Sequence, residues 1–164
     1  MREGKVYLAG GGCGSADLVT YRALSVLQEC EVVVYDSLVS EELLQWTRPD
    51  CEKIYVGKRC GSHAMKQAEI NALLIKKAGE GKTVVRLKGG DPYVFGRGGE
   101  EFMAVSQAGI CCEEIPGITS AIGAPAAAGI PVTHRGLSDC GHGNSHGREW
   151  SAQAKDGFSR PGTA

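Results

Sequence analysis

Residues 83–101 read TVVRLKGGDPYVFGRGGEE. Thr83 to Lys88 is rich in β-branched and apolar residues and is bounded by a glycine turn, which predicts a strand. The strand runs into Gly89-Gly90-Asp91-Pro92, four residues with turn chemistry. From Gly99 to Ala108, Phe102, Val105 and Ala108 recur at helical spacing, and Gly109 follows as a stop. Strand, glycine loop and helix in that order form the repeating piece of a parallel sheet covered by helices.

The same piece recurs on either side. Val6 to Gly10 predicts a first strand, with GGGCG (Gly10 to Gly14) after it and Leu18, Tyr21, Leu24 and Leu27 at near-helical spacing. Glu31 to Asp36 (EVVVYD) reads as a strand buried on both faces. Ser40 predicts an N-cap, with Glu41 and Glu42 favourable in the first turn of a short helix. Lys53 to Gly57 predicts a third strand. Lys66 to Ala78 predicts a helix with Ile70, Leu73, Leu74 and Ala78 inward, closed by Gly79 or Gly81. Cys111 to Ile115 predicts a fifth strand. The expected fold class is therefore α/β, a mostly parallel sheet flanked by helices. In such sheets the ligand crevice lies at the carboxyl ends of the strands. The polar and glycine-rich loops of this chain all fall there.

Composition narrows the function classes. The chain has 164 residues, 42% hydrophobic and 23% charged, with a formal net charge of -1. That balance fits a globular protein and advertises no nucleic-acid partner. No apolar run is long enough to cross a membrane, and MREGKVYLAG has no signal-peptide pattern. The seven cysteines are odd in number and irregularly spaced, which predicts reduced thiols and a cytoplasmic location. Cys140, His142 and His146 follow no strong ligand spacing, so no metal is expected. Residues 139–164 are poor in large apolar residues and are expected to be irregular.

GGDPYVFGRGGEE (Gly89 to Glu101) closely resembles the tetrapyrrole methylase family. The likeness continues through VYDSLVS (Val34 to Ser40), YVGKR (Tyr55 to Arg59), QAEINALL (Gln67 to Leu74) and PGITSAIGAPAAAGIPVTHRG (Pro116 to Gly136). It covers roughly residues 4–138. The resemblance implies two domains with S-adenosylmethionine bound between them. Residues 1–120 would be the N-terminal α/β domain, 121–138 the start of a linker or second domain, and 139–164 an aberrant tail. It also implies methylation of uroporphyrinogen III at two pyrrole carbons to give precorrin-2, and a homodimer. On that pattern this chain is expected to be incomplete and weakly active alone. The alternatives are methylation of a later precorrin, or a cofactor-binding module without catalysis.

The resemblance also distributes roles. Cys13, Gly89, Gly90, Asp91, Val94, Thr119 and Ser120 fall at positions that contact S-adenosylmethionine. Asp36 and Lys58 fall at acid–base positions, and Arg97 and Glu100 at positions facing the tetrapyrrole. Arg97 is also implicated in proton removal, although a guanidinium is a poor base and a bidentate grip on a carboxylate suits it better. His134 and Arg135, in THRG, are further candidates for the cleft. The first loop departs from the family, with Cys13 where proline is usual and Ser15 where aspartate is usual. Ser15 also stands where the dinucleotide fingerprint G-x-G-x-x-G needs its third glycine.

Overall fold

A computed structural model describes residues 3–57 and 65–135. Lys58, Arg59 and the tail with Cys140, His142 and His146 lie outside the described residues. Five parallel strands form one sheet in the order β3-β2-β4-β1-β5. They are β1 (Lys5–Gly10), β2 (Val32–Tyr35), β3 (Glu52–Tyr55), β4 (Thr83–Lys88) and β5 (Cys111–Ile115). Val32, Val33 and Val34 are fully buried, so both faces of β2 are covered.

Alternation along each strand divides the core in two. Ala9, Val33, Val85 and Leu87 pack against helix α1 (Tyr21–Glu29) and a 3-10 helix, Glu41–Trp46. Val6, Leu8, Val32, Val34 and Val84 pack against α2 (Gln67–Gly79) and α3 (Gly98–Gln107). The loop after β1 therefore leads to one face and the loop after β4 to the other. β1 and β4 are hydrogen-bonded neighbours, so the chain parts to opposite faces between them, the position where open α/β sheets take ligands.

Local chemistry explains the helix ends. Thr20 caps α1, its hydroxyl accepting from the Ala23 N–H at 3.3 Å. This cap restarts the helical phase after a 3-10 turn at Ala16–Leu18. The inward residues are Ala23 and Leu27, whereas Tyr21, which shares the near-helical spacing of Leu27, is 85% exposed. Ser40 precedes the short helix but makes no side-chain cap bond, and that helix is 3-10 rather than α. At α2, Glu69 reaches back to the Lys66 N–H at 2.7 Å. Gly81, at φ +81°, supplies the left-handed turn that ends the segment.

The chain divides into two units at Ser120/Ala121, the second described as far as Arg135. Helix α4 (Ser120–Ala127) begins at that boundary and contains Pro125. It closes through Gly129, at φ +73°, whose N–H reaches the Ala126 carbonyl at 2.9 Å.

Candidate functional site

Three loops meet at the carboxyl ends of β1, β4 and β5. Gly12 and Gly90 exchange both backbone hydrogen bonds, Gly12 N–H to Gly90 O at 3.2 Å and Gly90 N–H to Gly12 O at 2.6 Å. A Cβ on Gly10 would stand 2.5 Å from Gly117 Cα, and one on Gly117 would collide with the Gly90 carbonyl oxygen. Glycine is required here because main chain packs on main chain. A Cβ on Gly89 would press on Leu38, 2.6 Å away, so its missing side chain makes room for the loop after β2.

Asp91 fastens the arrangement. Its carboxylate accepts the Tyr93 N–H at 2.8 Å and, across loops, the Gly117 N–H at 3.1 Å. Thr119 lies close by, its Cα 3.7 Å from where a Gly90 Cβ would be. Cys13 is half-buried in the first loop and Ser120 is exposed. Tyr93, Val94, Phe95 and Ile118 leave apolar surface exposed along this rim. Glu114, at the end of β5, is held above the usual carboxylate range, chiefly by burial and then by the Asp91 charge.

The second cluster lies under the rim and contains residues that the sequence reading did not single out. Arg86, Lys88 and Glu101 are 3%, 5% and 0% exposed. Glu101 Oε1 accepts from Arg86 Nε at 3.2 Å, Lys88 Nζ at 3.2 Å and Gln67 Nε2 at 3.1 Å. Arg86 Nη2 donates to Asp36 Oδ2 at 2.9 Å, and its Nη1 caps the Val34 and Leu87 carbonyls. Asp36 also accepts the Leu38 N–H at 3.1 Å. Burial, and next the Arg86 charge, hold Lys88 below the usual lysine range against the pull of Glu101. The signal for this cluster was present: Arg86 and Lys88 share a face with Val84, and two cations on one face of a central strand require a carboxylate.

Asp36 borders an open cleft walled by Tyr35, Ser37, Val39, Glu41 and Tyr55. Arg97 and Glu100 close on each other in a two-pronged pair, both prongs at 2.8 Å. That contact raises the Arg97 guanidinium and lowers the Glu100 carboxyl. Arg97 starts α3 in the left-handed conformation, at φ +58°. The loops thus bring Gly89, Gly90 and Asp91 together with Thr119, whereas Arg97 and Glu100 stand as a separate exposed pair. His134 is exposed, its ring nitrogen 2.9 Å from the Arg135 carbonyl.

The sequence model of the Tetrapyrrole (Corrin/Porphyrin) Methylases matches residues 5–159. The chain belongs to this family. The match runs past residue 138, where the motif-by-motif likeness ended. A uroporphyrinogen-III C-methyltransferase of Methanocaldococcus jannaschii is 59% identical over 132 residues, covering 80% of this chain and 54% of the relative. A siroheme synthase of Baumannia cicadellinicola is 58% identical over 132 residues, 80% of this chain and 29% of the relative. Among solved structures, a uroporphyrin-III C-methyl transferase of Thermus thermophilus complexed with S-adenosylhomocysteine is 47% identical with a TM-score of 0.71. The shared region covers 84% of this chain and 57% of that one. The chain therefore spans little more than half of some relatives and less of others. The parallel sheet and its helices are those of a tetrapyrrole methylase. No helix among the described residues is long and apolar enough to cross a membrane, and no group of three metal-ligating side chains occurs among them.

Proposed function

We propose that this tetrapyrrole methylase transfers methyl groups from S-adenosylmethionine to uroporphyrinogen III, giving precorrin-2. The observation that carries the reading is the junction of Gly90, Asp91 and Gly117, where loops distant in sequence join on one rim. The rim fits an amphiphilic nucleoside. Val94 and Ile118 offer apolar contact beside Asp91, whose carboxylate has lone pairs beyond its two backbone bonds. Thr119 and Ser120 add hydroxyl groups at the same edge. Cys13, Gly89, Gly90, Asp91, Val94, Thr119 and Ser120 are the residues that would hold the donor. S-adenosylmethionine supplies an activated methyl group on sulfur.

The protein's part is alignment and proton handling. Asp36 takes the proton released from the methylated carbon, its carboxylate held by Arg86. Lys58, three residues after Tyr55 in the sequence, is the matching donor. Arg97 grips a carboxylate of the substrate, an assignment favoured by its exposure and by a guanidinium that stays charged. Glu100 holds Arg97 until a substrate carboxylate competes for it. A homodimer and a cytoplasmic location go with this reading; unbridged thiols at Cys30 and Cys51 are in keeping with the latter.

Titration calorimetry tests the donor: S-adenosylhomocysteine saturates one site and NAD gives no heat. Heat with NAD alone overturns the donor assignment. Incubation with methyl-labelled donor tests the acceptor, with two methyl groups entering uroporphyrinogen III. Methylation of a later precorrin in its place overturns the substrate and keeps the family.

A further inference from the structure

Cys30 and Cys51 take no part in the chemistry above. Cys30 caps the end of α1, and Cys51 immediately precedes β3. Their sulfurs lie 3.5 Å apart inside the core cluster that α1 forms with the sheet, with Cys30 fully buried and Cys51 9% exposed. Apolar packing alone asks for no such facing pair, since two alanine or valine side chains fill similar space.

The two thiols are not equivalent. Cys30 is also close to the Leu27 carbonyl, to which its S–H can donate at 3.2 Å. Cys51 follows the exposed turn Arg48–Asp50, so solvent reaches it first. The Cys51 thiol is drawn down to about 7, first by its contact with the Cys30 thiol and, against burial, by the Lys53 charge. The same contact, with burial, pushes the Cys30 thiol up. Cys51, the less buried of the two and drawn toward its reactive thiolate form, is the sulfur placed to react first.

We propose that Cys30 and Cys51 form a reversible oxidation site that takes a hydroperoxide and closes to a disulfide, tying the end of α1 to the start of β3. The Cys51 thiolate attacks the outer peroxide oxygen. The O–O bond breaks, the alkoxide (hydroxide, for hydrogen peroxide) leaves and takes up the proton that Cys51 released to solvent, and Cys51 becomes a sulfenic acid. The Cys30 sulfur then attacks the Cys51 sulfur. The S–O bond breaks, and the hydroxide departs with the Cys30 proton as water. Two thiols lose two electrons, and one peroxide gains them. Bond formation needs the sulfurs to close by roughly 1.5 Å, within reach of side-chain rotation. The bond pins an edge strand whose far end, Tyr55, lines the cleft beside Asp36.

The test is stoichiometric hydrogen peroxide on the full chain, read by intact mass and by cleavage after glutamate. Closure lowers the mass by about 2 Da. It also yields the dipeptide Cys30-Glu31 linked to the fragment Leu43–Glu52, and thiol reductant reverses both changes. Cys30→Ser should leave a sulfenic acid at Cys51 that a cyclic diketone traps, whereas Cys51→Ser should abolish oxidation of Cys30. The linked peptide with melting raised by a few degrees is the expected result. A bond from either residue to another cysteine, irreversible oxidation of Cys51 without the link, or two unreacted thiols would each overturn the proposal. S-adenosylhomocysteine binding is read separately, so failure of the methyl-donor assignment leaves this outcome legible.

Discussion

Arg86 donates to the carboxylate of Asp36 at 2.9 Å, and the register of the sheet explains why it can. Val34 pairs with Arg86 between β2 and β4, and Asp36 lies two residues beyond Val34 on the same face. Arg86 therefore spans from an acid at the rim to Glu101, fully buried in α3. Removing Glu101 would leave buried Lys88 without its carboxylate and Arg86 with Asp36 alone. Glu101→Leu should cost about 3–5 kcal/mol in urea unfolding, since breaking a buried pair leaves the partner charge uncompensated. Adding Lys88→Met should recover part of that loss. A Glu101→Leu cost below about 1 kcal/mol would show that water reaches the cluster.

The glycine junction gives a second prediction with an internal control. Gly117→Ala places a methyl on the Gly90 carbonyl, where only backbone can yield. It should destabilise by about 1–3 kcal/mol and lower S-adenosylhomocysteine affinity by about tenfold or more. Gly99→Ala meets nothing within 4 Å at the start of α3 and should stabilise by about 0.5–1 kcal/mol. Thermal melting and calorimetry on both variants decide the matter. Equal behaviour of the two would mean that the loops part easily at Gly117.

The sheet was legible because its strands are unusually plain. Thr83–Lys88 and Cys111–Ile115 have the bounds that their residue runs suggest, and three consecutive valines state that β2 is covered on both faces. The near-helical spacing of Leu18, Tyr21, Leu24 and Leu27 spans two elements because the Thr20 cap starts a new helix at Tyr21, a local event that spacing alone does not show. At the site, the approach of Gly90 and Asp91 to Gly117 and Thr119 follows from parallel strands ending on one rim. Arg86 and Lys88 on one strand face signal a buried acid, but which carboxylates answer them does not follow from local pattern. Glu101 directly follows exposed Gly99 and Glu100 in GRGGEE, and its partners lie 13 and 15 residues upstream on another element. Only strand register and the packing of α3 on the sheet bring them together.

Asp91 and Arg97 should separate donor from acceptor. Asp91→Ala loses the Gly117 and Tyr93 N–H bonds and unpins the rim, so S-adenosylhomocysteine should bind about tenfold or more weakly. Arg97→Ala removes an exposed guanidinium whose partner is Glu100, so cofactor binding should stay within about twofold while tetrapyrrole binding weakens by about tenfold. Calorimetry with each ligand in turn reads the division. Similar losses for both ligands in both variants would mean that the two residues serve a single subsite.

Glu114 provides a pH test with a defined sign. Burial, followed by the Asp91 charge, raises its carboxyl in the folded chain above its unfolded value. The folded form then holds its proton more tightly, so the stability this group contributes is present below the ordinary glutamate range. It is lost as pH rises through the folded value. Glu114→Gln cannot ionise, and the difference between variant and parent isolates this one group from the other carboxyls. The variant should melt above the parent at pH 7, by an amount corresponding to a few tenths of a kcal/mol, and the gap should shrink toward zero near pH 3. A variant less stable than the parent at pH 7 would mean that the Glu114 carboxylate has a favourable partner when ionised, reversing its assigned environment.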